Sequence, residues 1–262
     1  MKLNFYKYEG AGNDFILLDN REQHFNPDQQ PQMIKKLCDR HFGIGADGLM
    51  ALQLKPGYHF EMLYYNANGS AGTMCGNGGR CITAFAKRLG IIQNETNFMA
   101  VDGPHYAKIS ENGDWVSLKM IDVDDIKMDG NAFVLNTGSP HYVVQRSQLR
   151  DLDVFRAGRE IRYNEVYSSE GINVNFVEDM GDHYYVRTYE RGVEDETFAC
   201  GTGATAVAMA MARLKNKTGQ TTITLRVTGG QLSVSFDYDG KKFTNVFLEG
   251  PASFVFEGSI DV

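Results

Sequence analysis

The chain has 262 residues, 33 acidic and 26 basic side chains, a formal net charge of −7 and 42% hydrophobic residues. This composition excludes a disordered chain and fits one large domain or two smaller ones. The acidic balance and the lack of a Lys/Arg-dense run argue against a nucleic-acid partner.

No run of about 18 apolar residues occurs, so no transmembrane helix and no membrane association are expected. Residues 1–15, interrupted by Glu9 and Asp14, do not read as a signal peptide. A cytoplasmic protein is therefore expected. Cys38, Cys75, Cys81 and Cys200 make no disulfide framework and contain no C-x-x-C pair. They read as reduced thiols, and no metal site is expected beside them.

In chain order, strands are predicted over 5–8 and 15–19, short apolar or β-branched runs bounded by Gly, Asn or Asp. A surface helix follows over 32–40, opened by Pro31. A strand over 60–65 precedes Thr73-Met74-Cys75-Gly76-Asn77-Gly78-Gly79-Arg80, which leads into a helix over 80–89. A strand over 116–120 ends the first half, and the polar stretch 122–130 reads as the link. Strands over 133–135 and 142–144, a helix over 154–161 and strands over 174–178 and 184–189 begin the second half. Phe198-Ala199-Cys200-Gly201-Thr202-Gly203-Ala204-Thr205 then opens a helix over 204–212. That helix is small and apolar all round, the pattern of a helix buried on every side. Strands over 222–227, 232–236 and 243–248 follow, and a last strand over 252–260 crosses back to the first half.

The two halves repeat one another. Cys200 lies 125 positions after Cys75, each followed by Gly-x-Gly. Gly12-Asn13-Asp14-Phe15-Ile16-Leu17 and Gly138-Ser139-Pro140-His141-Tyr142-Val143 occupy like places at an offset of 126. Gly43-Ile44-Gly45-Ala46-Asp47 and Ser169-Glu170-Gly171-Ile172-Asn173 align at the same offset. Blocks in register over so long a period imply duplicated domains rather than a solenoid. The expected fold is α+β, with two pseudo-symmetric domains over 1–120 and 121–251, the first completed by residues 252–262. Each is a curved, mainly antiparallel, barrel-like sheet around a central helix whose N-terminus points at the seam.

A helix start offers unpaired amides and partial positive charge, which suits a carboxylate or phosphate. A cysteine there has its pKa lowered from about 8.5 toward neutrality. Two such thiols on either side of one α-carbon form an acid–base pair. One thiolate removes the α-proton, the other thiol protonates the opposite face, and the carbon inverts without a cofactor. Helix dipoles and backbone donors stabilise the carbanion.

Gly10-Ala11-Gly12-Asn13-Asp14-Phe15, Asn66-Ala67-Asn68-Gly69-Ser70, Met74-Cys75-Gly76-Asn77-Gly78-Gly79-Arg80, Tyr189-Glu190-Arg191-Gly192 and Ala199-Cys200-Gly201-Thr202-Gly203-Ala204 together resemble the diaminopimelate epimerase family over nearly the whole chain. The resemblance implies interconversion of LL- and meso-diaminopimelate without pyridoxal phosphate or metal, in lysine biosynthesis, by a cytoplasmic homodimer. It implies Cys75 and Cys200 as the catalytic bases and His141 and Glu190 as residues that tune or orient them. Gly76, Asn77, Gly201 and Thr202 would hold the reacting carboxylate. Asn13, Asn66, Asn173, Glu190 and Arg191 match substrate-binding positions. This chain carries Gly48 where many members have glutamine, Ser139 where many have asparagine, and Phe256 in place of a tyrosine tied to the dimer interface.

Other readings stay open on the residues alone. They are a proline or hydroxyproline racemase-type isomerase, a cysteine hydrolase with one nucleophile and His141 as base, and a non-catalytic amino-acid binder. His141 can be a structural histidine, Glu190 and Arg191 a surface ion pair, and Asn13 and Asn66 turn residues.

Overall fold

A computed structural model describes residues 2–23 and 25–262. In chain order the elements are β1 (Lys2–Gly10), β2 (Asn13–Asp19), α1 (Pro31–Cys38), β3 (Gly48–Gln53), β4 (Phe60–Asn66), α2 (Gly76–Arg88), β5 (Glu95–Ala100), β6 (Gly103–Ile109) and β7 (Trp115–Lys119). Next come β8 (Ile126–Asp129), β9 (Ala132–Asn136), β10 (Pro140–Gln145), α3 (Val154–Arg162), β11 (Asn173–Asp179), β12 (Tyr184–Glu190) and β13 (Asp195–Thr197). The chain closes with α4 (Gly201–Leu214), β14 (Gly219–Val227), β15 (Gly230–Tyr238), β16 (Phe243–Pro251) and β17 (Ser253–Asp261). It divides into two compact units, Met1–Leu118 with Pro251–Val262, and Lys119–Gly250.

The same ladder is built in each unit. In the first, β1 pairs antiparallel with β2, β2 parallel with β3, β3 antiparallel with β4, β4 parallel with β5, and β5, β6 and β7 follow antiparallel. In the second, β9, β10, β11, β12, β14, β15 and β16 repeat that order and those directions. The flanking strand differs in origin. β17, from the chain end, pairs with β1, whereas β8, from just before β9, pairs with β9. The register also adjusts the repeat. Phe15 opposes Gly48 while His141 opposes Asn173, so the third block is offset by 125 rather than 126.

One helix sits against each ladder. α2 packs on β1, β2, β3, β6 and β17, and α4 on β9, β10, β11, β12, β14 and β15. The positions from Gly203 to Ala212 in α4 are all buried, as its all-round apolar sequence requires. α1 and α3 cover the other side of their sheets with one face each. Ile34, Leu37 and Cys38 join a core with Phe5, Ile16, Leu18 and Leu49. Val154 joins Ile172, Val174, Phe176 and Tyr189. The Asp153 side chain caps α3 by accepting from the Arg156 amide at 2.9 Å.

Both central helices begin earlier than their predicted starts at 80 and 204. Gly76 and Gly201 are already helical, so Gly-x-Gly forms the first turn. β3, β5 and β6 have no counterpart among the predicted strands. β3 is buried at five of six positions, which erases alternation. The predicted link contains β8, whose one buried residue is Ile126. Among the described residues no helix is long and apolar enough to cross a membrane.

Candidate active site

Cys75 is the N-cap of α2 and Cys200 the N-cap of α4, with closely matched backbones: φ −115°, ψ 123° and φ −115°, ψ 113°. Each cysteine carbonyl accepts the first intrahelical bond, from Gly79 at 2.8 Å and from Ala204 at 2.9 Å. The amides of Gly76, Asn77 and Gly78, and of Gly201, Thr202 and Gly203, lie ahead of that bond, where a helix start carries partial positive charge. An anion set there meets backbone donors beside a thiol. A side chain at the second motif glycine would crowd its neighbour in each unit. A Cβ on Gly78 would lie 2.2 Å from Met50 Cε, and one on Gly203 would lie 2.4 Å from Asn175 Oδ1.

In the first unit Cys75 is joined to two of the predicted residues. Its Sγ lies 3.6 Å from Asn13 Oδ1, to which Asn77 Nδ2 also donates at 3.4 Å. Asn13 opens β2 and Cys75 caps α2, so the hairpin of β1 and β2 carries the amide to the helix start. Asn66, at the end of β4, is not bonded to this group. It donates to Ser70 Oγ at 3.1 Å and shapes the turn that follows.

In the second unit Cys200 is 8% exposed and hydrogen-bonds to Glu190. Its Sγ lies 3.6 Å from Thr202 Oγ1, and the Thr202 carbonyl accepts from Thr137 Oγ1 at 2.8 Å. Burial pushes the Glu190 carboxyl up, against hydrogen bonds from Thr197 and Cys200 that pull it down. Thr197 Oγ1 donates to Glu190 at 2.8 Å. Glu190 ends β12 as Asn66 ends β4. The duplicated strand end therefore carries a carboxylate beside Cys200 and an amide in the other unit.

Asn173, Arg191 and Ser139 form a second group in the same unit. Asn173 Nδ2 donates to Ser139 Oγ at 2.8 Å and the Pro140 carbonyl at 3.0 Å, and its Oδ1 accepts the Arg191 amide at 2.9 Å. The Arg191 guanidinium donates to the Glu170 carbonyl at 3.0 Å and Ser139 Oγ at 3.3 Å. It makes no ion pair among the described residues. Gly171, at φ +76°, leaves room for this arginine and for Arg162. A Cβ there would fall 2.6 Å from Arg162 Cζ and 2.7 Å from Arg191 Cδ.

His141 is fully buried and bonded to Asn175 rather than to a sulfur. Burial, with the charge of Arg191 adding to it, pushes its pKa down to about 3, so the ring is neutral near pH 7.

Four residues absent from the sequence-derived site belong to these groups. They are Thr197 on Glu190, Asn175 on His141, and Asp47 and Arg80 on the amides beside Cys75. Asn173 and Asn175 alternate with Val174 and Phe176 at the start of β11, a period-2 signal that both face one side. Arg80 follows Asn77 by three positions, the spacing of one helix face, whereas Asp47 and Thr197 carry no such local signal.

Duplicated sheets that each hold one central helix define a two-unit fold. Two solved structures have this fold over almost the whole chain. One is a PhzF-family phenazine biosynthesis protein from Bacillus anthracis, TM-score 0.77 at 13% identity, covering 100% of both chains. The other is a probable proline racemase from Agrobacterium radiobacter, TM-score 0.69 at 14% identity, covering 99% of this chain and 93% of that one. A model of the family described as diaminopimelate epimerase matches residues 5–124 and 133–255. The diaminopimelate epimerase of Flavobacterium psychrophilum is 52% identical over 98% of this chain and 100% of its own. That of Chlorobaculum tepidum is 40% identical over 96% and 98%. The chain belongs to the diaminopimelate epimerase family and is an isomerase of the epimerase type.

Proposed function

We propose that the protein interconverts LL- and meso-diaminopimelate without a cofactor, with Cys75 and Cys200 as the acid–base pair. The observation that carries this reading is that both cysteines occupy the N-cap positions of their helices with near-identical backbone angles. A thiolate on one cysteine takes the α-proton and becomes a thiol. The other thiol gives its proton to the opposite face and becomes a thiolate. The substrate gains and loses one proton, and the enzyme is left with the two protonation states exchanged. The reverse reaction starts from that state.

The amides at the starts of α2 and α4 bind the carboxylate next to the reacting carbon, Gly76 and Asn77 on one side and Gly201 and Thr202 on the other. They stabilise the charge that develops when the α-proton leaves. Glu190 orients the Cys200 thiol by accepting from it. Neutral His141 holds Asn175 in the layer beneath. Asn13, Asn66, Asn173 and Arg191 bind the remainder of the substrate. The Arg191 fork, with no carboxylate of its own among the described residues, favours a substrate with a second carboxylate over proline.

The reaction serves lysine biosynthesis in the cytoplasm. We propose a homodimer as the working form. Phe254, Val255 and Phe256 are consecutive apolar residues of β17, 38%, 51% and 44% exposed, and a second copy would cover them.

Reduced protein incubated with LL-diaminopimelate in deuterated water tests the function. Deuterium at the α-carbon together with meso product is the expected result. No exchange and no meso product would remove the assignment.

A further inference from the structure

Asn13 and Asn77 have side-chain amides whose two ends look alike in shape and differ in chemistry, and each is held by a charged partner that can bond only one end. Asn13 Nδ2 donates to Asp47 Oδ2 at 2.5 Å, and a carboxylate can only accept. Arg80, fully buried, donates from its guanidinium to Asn77 Oδ1 at 3.0 Å, and a guanidinium can only donate. Asn77 Nδ2 then donates to Asn13 Oδ1. The bonds run one way, from Arg80 through Asn77 and Asn13 to Asp47. The end of Asn13 left facing Cys75 Sγ is its oxygen, an acceptor.

We propose that Asp47 is a positioning residue that fixes the Asn13 amide so that its oxygen accepts from Cys75, holding this cysteine as the protonated thiol in the substrate-free protein. A thiolate would face a lone pair there, whereas a rotated amide would offer it an N–H. Asp47 is itself anchored. It accepts from Arg40 at 2.7 Å and from the Asp14 amide at 3.2 Å, and its own amide bonds back to Asp14. Asp14 pairs with Lys7 at 2.6 Å and Arg40 at 2.7 Å. The other charged or titratable groups of this region are Glu9, which accepts from the Gly12 amide, and the buried thiols of Cys38 and Cys81, both raised by burial. The proposal supplies an asymmetry that the duplication lacks. Cys200 meets a carboxylate, and Cys75 meets an amide whose direction is set from a distance.

The proposal rests on Cys75 acting in proton transfer, but its readout is the ionisation of Cys75 itself, so failure of the epimerase reading shows separately in turnover. The rate of iodoacetamide labelling of Cys75, read on its own proteolytic peptide across pH, reports the midpoint of thiolate formation. Asp47→Asn supplies a group that can also donate, so the Asn13 amide can turn over at the loss of only the long 3.4 Å bond from Asn77. The midpoint should fall by about one pH unit, the shift from gaining a hydrogen bond to the charged form. Asp47→Glu keeps an acceptor and should keep the wild-type midpoint. In an Asn13→Leu background the same Asp47→Asn change should move nothing. No shift in the wild-type background would overturn the proposal. So would an equal shift in both backgrounds, which would make Asp47 a distant charge rather than an orienting group. Asp47→Ser, whose hydroxyl also donates, gives the same comparison if Asp47→Asn does not fold.

Discussion

Asn175 Nδ2 donates to His141 Nδ1 at 3.1 Å, and the direction of that bond is fixed. The same Asn175 amide nitrogen donates to the Tyr142 carbonyl at 3.1 Å, while its Oδ1 accepts from Thr188 at 3.0 Å. The imidazole therefore accepts at Nδ1 and carries its one proton on Nε2, a buried atom with no partner among the described residues.

A buried neutral histidine makes stability depend on pH. Burial lowers the folded pKa of His141 from its ordinary value of 6.5 to about 3. Between those values the unfolded chain binds the proton and the folded one does not, so stability falls as pH drops below about 6.5. The contribution is complete above that pH. Urea unfolding between pH 7.5 and 5 should show the loss in the wild type and a flatter profile in His141→Gln. Asp14 enters only lower. Burial opposes its ionisation, but the Arg40 and Lys7 bonds outweigh it and hold the carboxyl at about 2, below its ordinary 3.8.

Glu190→Gln removes the carboxylate that receives Cys200 and Thr197. The kcat should fall about 10²-fold or more, the range for a group that serves a proton transfer. Thr197→Val, which removes one donor to the same carboxylate, should cost about 1 kcal/mol, roughly fivefold in kcat. Steady-state rates of both variants check the order, and a Thr197→Val variant slower than Glu190→Gln would contradict it.

Arg191→Met should act on substrate binding, raising KM by roughly 10- to 100-fold, the worth of one hydrogen bond to a charged group, with a smaller change in kcat. Gly171→Ala should produce a weaker form of the same effect, because its Cβ would push on Arg191 Cδ. It should also cost about 1–3 kcal/mol of stability from the left-handed backbone. Kinetics and thermal unfolding on each variant separate the two effects.

Gly203→Ala sets two forces against each other. Alanine favours a helix by about 1 kcal/mol, yet its Cβ would lie 2.4 Å from Asn175 Oδ1, which is fixed by bonds on both ends. The clash should win, and the melting temperature should fall rather than rise.

The sequence carried the parts of the fold that are periodic or duplicated. The apolar helix ahead of Leu214 and the paired Cys-Gly-x-Gly segments were plain in it, because burial on every side and repetition are local signals. β3 was not, since a strand buried on both faces has no alternation to read. The starts of α2 and α4 were misplaced because glycines read as loop, whereas Gly78 and Gly203 are helical and small for Met50 and Asn175. The residues that touch Cys75 and Cys200 include several singled out in advance, Asn13, Glu190 and Thr202 among them. Asp47 and Thr197 were beyond reach, because what brings them to the Asn13 amide and the Glu190 carboxylate is strand register, which is not written near them in the chain, whereas Arg80 meets Asn77 three positions away within α2.

The two-thiol assignment is tested most directly by Cys75→Ala and Cys200→Ala, made singly, each assayed for conversion of LL-diaminopimelate to the meso form with folding verified by circular dichroism. Both variants should lose epimerisation by a factor of about 10³ or more, since each removes a group that moves a proton in every turnover. Near-wild-type turnover in either one would contradict an acid–base pair and leave a single-cysteine chemistry in its place.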